Sequence, residues 1–475
     1  MLTRRSFLRS TIVLSGGAGL RGLARGERHA TLRLVHGGAA VQVPANFIGL
    51  GYEMLSAAQP ELLCARDAVY VRLVRNLGSE GVLRFGGIVA DFTRYAPVGP
   101  VRTEPKNTVV SEASLQQLRG FLNATGWTAI WSVNFGRGTL AEAVAEARAV
   151  HRILGPKLTA LELGNEVENY GRGSHPARSA GWGFTRYLAE YREWRRAILS
   201  AVPGVCFAAP DTAASVAWVE QMAEQARGEV QLLTTHFYLG DQRKATLAQM
   251  VQPSADLASR IARLGEISRS SGTPWRMCET NSFFGGGHAG LSDTFAGALW
   301  TLNYMLLLAQ AGCAGVNLET GVNQLGFLSW YSPIRSDAMG AVTVGAPYYG
   351  MLAFAAAGAD GAEMLPVESA DAEMTAYAMG RQGRARAAVI LNWSDVDPVR
   401  VSLAGLELHA AEVLRLAAPT LLSKYGVTLG GAAVDGQGRW SPARVERMHG
   451  DELKVDPVSA VVVRQMRPAG VQGRS

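Results

Sequence analysis

From residue 47 to about 358, short apolar runs alternate with segments whose apolar positions recur every three to four residues. The runs at 47–53, 82–87, 128–134, 159–165, 206–210, 231–237, 275–279 and 316–320 read as eight strands. Residues 139–154 read TLAEAVAEARAVHRIL, which puts Leu140, Val144, Ala147, Val150, His151 and Leu154 on one helical stripe. Thr139 is placed to cap that helix, and Gly155 with Pro156 to stop it. Helices are also expected over 184–202, 256–270, 292–311 and 348–357, the third of these opened by a Ser292-Asp293 capping signal.

Eight strand–helix units in this span predict an α/β fold, a (β/α)8 TIM barrel over residues 45–359. A doubly wound sheet is the alternative. It would carry a Gly-rich phosphate loop after its first strand, and here that strand runs through Gly49-Leu50-Gly51-Tyr52-Glu53-Met54 instead. Residues 360–468 alternate apolar and polar positions with Gly, Asp and Pro punctuation, which is antiparallel β patterning. Residues 30–44 read the same way. The simplest topology pairs the two segments in a β-sandwich packed on the barrel.

Charge changes the picture once the first residues are set aside. Lys+Arg minus Asp+Glu is 46 − 40 = +6, but residues 1–26 hold five arginines and no acid, which leaves +1 for the rest. No nucleic-acid-binding surface is expected from that balance. Residues 1–28 carry Arg4-Arg5 ahead of a short apolar stretch and resemble a twin-arginine export signal, too short and Gly-rich to span a membrane. They predict a bacterial periplasmic or secreted protein without a membrane anchor. Cys64, Cys206, Cys278 and Cys313 lie far apart in apolar segments and are expected to be buried free thiols.

In a barrel the reacting groups sit at the C-terminal ends of the strands. Two carboxylates pass that filter clearly, Glu166 after strand four and Glu279 ending strand seven. Placing a carboxylate at the end of an apolar strand is costly unless it is used. A facing pair suits glycosidic bond cleavage, one group protonated to release the leaving oxygen and one ionised, with proximity and burial separating their pKa values. Glu162 shares the strand parity of Glu166 and reads as structural. The eight histidines form no HxxxH or HExxH, and the chain has neither GxSxG nor GxxxxGK[ST]. No metal or cofactor is called for.

The segment Leu163-Gly164-Asn165-Glu166 resembles the Asn-Glu signature of clan A retaining glycosidases. The stretch Glu279–Gly287 with Leu291–Ala296 is similar to the nucleophile region of glycoside hydrolase family 79, which holds heparanases and β-glucuronidases. Thr235–Gly240 and Arg84-Phe85-Gly86-Gly87 with Asp91 look like the same family. The resemblance covers roughly residues 30–466. It implies Glu166 as acid/base, Glu279 as nucleophile, Asn165 on the sugar 2-hydroxyl and Tyr238 orienting Glu279. Glu53 and Asp91 are candidates for ring hydroxyls.

The same resemblance implies that the sugar carboxylate is held by backbone N–H groups of Gly285, Gly286 and Gly287 and by tyrosine hydroxyls, the glycine run acting as an anion-binding nest. At the tyrosine positions this chain has Phe284 and, in Gln324-Leu325-Gly326-Phe327, Phe327; Tyr331 lies four residues on. Two readings of the sugar follow: a β-glucuronoside, or a neutral β-glucoside or 4-O-methyl-glucuronide cleaved by the same mechanism. A carbohydrate-binding barrel is the non-enzyme alternative. The partner expected is a glycoside or short oligosaccharide, on a monomer.

Overall fold

The computed structural model describes residues 26–466 apart from 36, 61, 100, 173–175, 322–328, 337–340, 359–360, 409 and 449. Gln324, Phe327 and nearly all of the leader lie outside the described residues.

Eight parallel strands close on themselves: β1 (Ile48–Glu53), β2 (Val82–Gly86), β3 (Thr128–Val133), β4 (Leu158–Leu163), β5 (Phe207–Thr212), β6 (Leu232–Asp241), β7 (Trp275–Phe284) and β8 (Val316–Glu319). Each pairs with its sequence neighbour, and β8 returns to β1 with Val316 opposite Ile48. The fold is the expected (β/α)8 barrel. Strands buried on both faces explain their near-continuous apolar runs. The segments between are helical where expected, including Leu140–Leu154, whose N-cap Thr139 and residue Glu142 form a reciprocal capping box.

Three of the expected strands run further than their apolar cores. β5 continues to Thr212, β6 to Asp241 and β7 to Phe284, so polar residues stand on strand extensions above the barrel mouth. The seventh-unit helix spans Phe295–Gln310 with Thr294 at its N-cap, not Ser292-Asp293. Those two residues are engaged in the loop before it. Ser292 Oγ accepts from His288 N, and Asp293 accepts from Gly290 N and pairs with Lys424 at 2.9 Å.

Two small sheets lie in the barrel loops, Thr93–Tyr95 with Asn107–Val110 and Arg102–Glu104, and Ile334–Ser336 with Val342–Val344; two larger sheets form the sandwich. One holds Arg28–Leu34, Val367–Glu368, Val399–Gly405 and Glu452–Val455; the other runs from Val41–Gln42 through Glu363–Leu365, Met374–Arg381, Arg384–Asn392 and Ser459–Gln465 to Ala411–Ala417 and Thr428–Leu429. Ala30, Leu32, Val399, Val401 and Leu403 pack against Ala388, Ile390, Val461 and Val463 between the sheets. Arg28–Leu34 pairs parallel with Val399–Gly405, which departs from the antiparallel expectation. A parallel neighbour is open to this strand because the intervening chain, the whole barrel, is long enough for any crossover. Glu27 and Arg28, read with the leader, pair with Arg400 and Asp371. All four cysteines are free; Cys64, Cys278 and Cys313 are buried and Cys206 is half-buried.

A segment of the sandwich reaches the barrel. The carbonyls of Ser423 and Leu421 accept from the first two N–H groups of helix Phe295–Gln310, and Lys424 lies over the Trp330 ring at 5.3 Å. Those N–H groups have no intrahelical acceptor, so the sandwich caps the helix. Among the described residues no helix is long and apolar enough to cross a membrane.

A buried acid outside the barrel interior gives a stability prediction. Glu146 accepts from the Trp131 indole at 2.8 Å, and burial pushes its pKa up to about 7. A raised carboxyl pKa contributes stability that is full below the unfolded value near 4.5 and is lost as pH rises through about 7. Glu146→Gln keeps an acceptor for Trp131 and cannot ionise. Its stability relative to the parent should therefore rise between about pH 5 and pH 8, by up to about 3 kcal/mol. Urea midpoints at the two pH values check this; a constant difference would contradict it.

Candidate active site

The site is built at the C-terminal ends of the strands around one guanidinium. Arg84 on β2 is wholly buried. Its Nε donates to Glu162 Oε2 at 3.0 Å, Nη1 to Glu279 Oε2 at 2.9 Å, and Nη2 to Asn165 Oδ1 at 2.9 Å and to Asp211 Oδ2. Burial works against the charge, but Asp211, Glu162 and Glu279 outweigh it and raise the Arg84 pKa. One planar fork thus ties β2 to the ends of β4, β5 and β7. Glu162 also accepts from Ser132 Oγ at 2.7 Å and is fully buried. Burial and the neighbouring Asp211 carboxylate push its pKa up to about 7. Its partners are protein groups, in keeping with a structural reading.

The two glutamates singled out from the sequence come together. Donor oxygens of Glu166 and Glu279 and a ring nitrogen of His236 all lie within 4.8 Å of one another. Glu279 accepts from Tyr238 OH at 3.0 Å on Oε1, so both of its oxygens are oriented, one by Tyr238 and one by Arg84. The Glu279 side chain is 13% exposed and that of Glu166 36%, which sets Glu279 deep and Glu166 toward the mouth. Glu166 sits in the left-handed region at φ 50°, following Gly164 at φ 86°. A Cβ at Gly164 would overlap the Tyr170 hydroxyl, so glycine is required where β4 turns to present Asn165 and Glu166. Asn165 uses its Oδ1 on Arg84, while its Nδ2 has no protein acceptor among the described residues.

His236, between Thr235 and Phe237 on β6, donates from Nε2 to Asp211 Oδ1 at 2.9 Å. Its Nδ1 faces Glu166 Oε1 at 3.5 Å and Glu279 Oε2 at 3.9 Å. Burial disfavours the imidazolium, yet Asp211 and Glu279 outweigh it and hold the His236 pKa well above the usual range. Arg84 and His236 together lower the Asp211 pKa despite its burial.

The other expected contacts fall as follows. Glu53 is buried at the end of β1 and takes Val89 N–H at 3.0 Å; burial, then Glu319 and Glu279, raise its pKa. Asp91 turns its Oδ1 to Tyr170 OH at 2.7 Å and Gly136 N–H at 3.0 Å, and burial pushes its pKa up to about 7. That oxygen braces the loops after β2, β3 and β4. Tyr331 is buried with its ring 6.3 Å from that of Tyr238. Phe284 stands at the mouth, 48% exposed and edge-on to Tyr238 at 6.4 Å.

The glycine run differs from a nest. Gly285, Gly286 and Gly287 all have positive φ, at 88°, 97° and 82°, where a nest alternates hands. The Gly287 N–H is spent on Phe283 O at 3.0 Å, while those of Gly285 and Gly286 have no protein acceptor among the described residues. Gly286 O accepts from Trp330 N, which joins the run to Tyr331.

Sequence reading missed roles for Arg84, Asp211, His236 and Glu319. Arg84 and His236 stood inside segments already noted. Asp211 lay one residue past the expected end of strand five, and Glu319 ends β8 as a buried acid beside Glu53 and Tyr331. The strand-end filter that found Glu166 and Glu279 would have found Glu319 too.

A barrel with carboxylates gathered at its C-terminal mouth and a sandwich built from both chain ends is an architecture this protein shares with glycoside hydrolases. No family model matches the chain. It is 26% identical over 325 residues to a β-glucuronidase of Neurospora crassa, covering 58% of this chain and 56% of that one. It is 26% identical over 368 residues to a β-glucuronidase of Aspergillus niger, covering 67% and 66%. The matches thus span between about half and two thirds of those relatives. A 4-O-α-L-rhamnosyl-β-D-glucuronidase from Fusarium oxysporum shares the fold with a TM-score of 0.76 at 19% identity, over 91% of this chain and 100% of that one.

Proposed function

We propose that the chain is a retaining β-glycosidase of the family 79 type that hydrolyses β-linked glucuronosides. The observation that carries this reading is the meeting of Glu166 and Glu279 oxygens within 4.8 Å. A retaining pair stands about 5–5.5 Å apart, whereas an inverting pair leaves about 6.5–9.5 Å for a water. Glu279 attacks the anomeric carbon from below, its carboxylate aimed by Tyr238 and Arg84. Glu166, nearer solvent, protonates the departing oxygen and then takes a proton from the water that releases the sugar. Asn165 Nδ2 is free to donate to the 2-hydroxyl as charge develops at C1. The likeness to fungal β-glucuronidases supports the choice of sugar. The leader suits export of the folded chain.

Glu166→Ala is expected to retain activity on substrates with good leaving groups and to be accelerated by azide, which adds to the anomeric centre without acid help. No acceleration would remove Glu166 from this role.

The second reading, a neutral β-glucoside, is favoured by Phe284, which offers no hydroxyl at the mouth. The ratio of kcat/KM on 4-nitrophenyl β-glucuronide and β-glucoside decides between them. Phe284→Tyr should shift that ratio toward the glucuronide by roughly tenfold or more, since a hydrogen bond to an anion contributes about 1.5–3 kcal/mol. An unchanged ratio would show that position 284 does not touch the sugar carboxylate.

A further inference from the structure

The His236 imidazole is 1% exposed, and its Nδ1 is a buried polar atom with no hydrogen-bond partner among the described residues. It aims between the two glutamates, too far from either oxygen for a strong hydrogen bond, at 3.5 and 3.9 Å. A point equidistant from three donors so spaced lies roughly 2.2–2.4 Å from each, close to zinc–imidazole and zinc–carboxylate bonds of about 2.0–2.2 Å. The other ring nitrogen meets Asp211 at 2.9 Å. That is the carboxylate–histidine arrangement which fixes the ring and raises its basicity behind a metal.

We propose that Glu166, His236 and Glu279 form a binding site for a divalent transition cation of the zinc type, taken up in place of substrate. Imidazole nitrogen with two carboxylates selects zinc, copper or cobalt over magnesium, which prefers an all-oxygen octahedron. The cation replaces the proton on His236 Nδ1. It ties up both carboxylates, so neither remains to attack C1 or protonate a leaving oxygen. The second acidic cluster, Glu162, Asp211 and Cys278, offers no such site, because Arg84 bonds both of its carboxylates, whereas in the proposed site it bonds Glu279 Oε2 alone, leaving Glu166 and His236 Nδ1 clear of it. The inhibitory consequence rests on the proposed glycosidase reading, whereas the binding itself does not.

Titration of the full chain with Co2+ tests binding without substrate. The visible absorption of nitrogen–oxygen-ligated cobalt should saturate at one ion per chain, and Zn2+ should displace it. His236→Gln and Glu279→Gln should each weaken binding at least about tenfold, and Asp211→Asn about 10–100-fold through the second-sphere contact. If His236→Gln does not fold by circular dichroism, Glu166→Gln supplies the same comparison. With substrate present, Zn2+ should raise KM, leave kcat unchanged and be reversed by chelation. Absence of saturable binding at about 1 mM, or unchanged binding in the ligand variants, overturns the proposal. Binding without any glycosidase activity would keep the site and overturn the proposed function instead.

Discussion

Glu279→Gln should abolish turnover, lowering kcat on an activated β-glucuronide by at least about 10⁴-fold. Loss of a nucleophile is among the largest single-residue effects. A factor of that size is about 5–6 kcal/mol of activation free energy. The substitution is nearly isosteric, and the amide retains an oxygen for Arg84 Nη1, which now meets Glu279 Oε2 at 2.9 Å. The folded state should therefore survive with its urea midpoint close to that of the parent. Substrate affinity measured by calorimetry should persist. Turnover within tenfold of the parent would show that Glu279 is not the attacking group. A collapse in stability would show that its role is to neutralise Arg84.

Arg84→Met should be the most destabilising substitution in the barrel, by about 3–5 kcal/mol, with activity lost alongside. The guanidinium is the common donor to Glu162, Asn165, Asp211 and Glu279 and has no exposure to water. Removing one partner of a buried ionic network leaves the rest uncompensated, and that is where the cost lies. With the cation gone, Glu162 and Asp211 are two carboxyl groups in one dry site. Stability of the variant should then fall more steeply with rising pH than that of the parent. Denaturant midpoints at about pH 5.5 and pH 8 measure this. A variant as stable as the parent at both pH values would mean that water enters and replaces the guanidinium.

What the sequence made legible was periodic. The barrel was visible because eight apolar runs alternate with stripes such as that of Leu140–Leu154, and both signals come from local burial. Glu166 and Glu279 were visible because a carboxylate breaks an apolar run at its end. The bonds that make them a site were not legible. Arg84 reaches three other strands, and such convergence depends on strand register and barrel closure, which no local pattern encodes. Asp211 was lost because β5 runs two residues past its apolar core, to Thr212, under hydrogen bonding to β6. The capping signal at Ser292-Asp293 misled because both side chains had stronger partners in the loop, His288 and Gly290 among them.

The parallel pairing of Arg28–Leu34 with Val399–Gly405 bears on how the chain is made. This strand waits until more than 330 later residues have been synthesised before its neighbours, Val367–Glu368 and then Val399–Gly405, exist. Through that interval it is an open edge, able to recruit another nascent chain. Assembly in this order ends rather than begins with the amino terminus, so refolding from urea should be slow and helped by a holding chaperone.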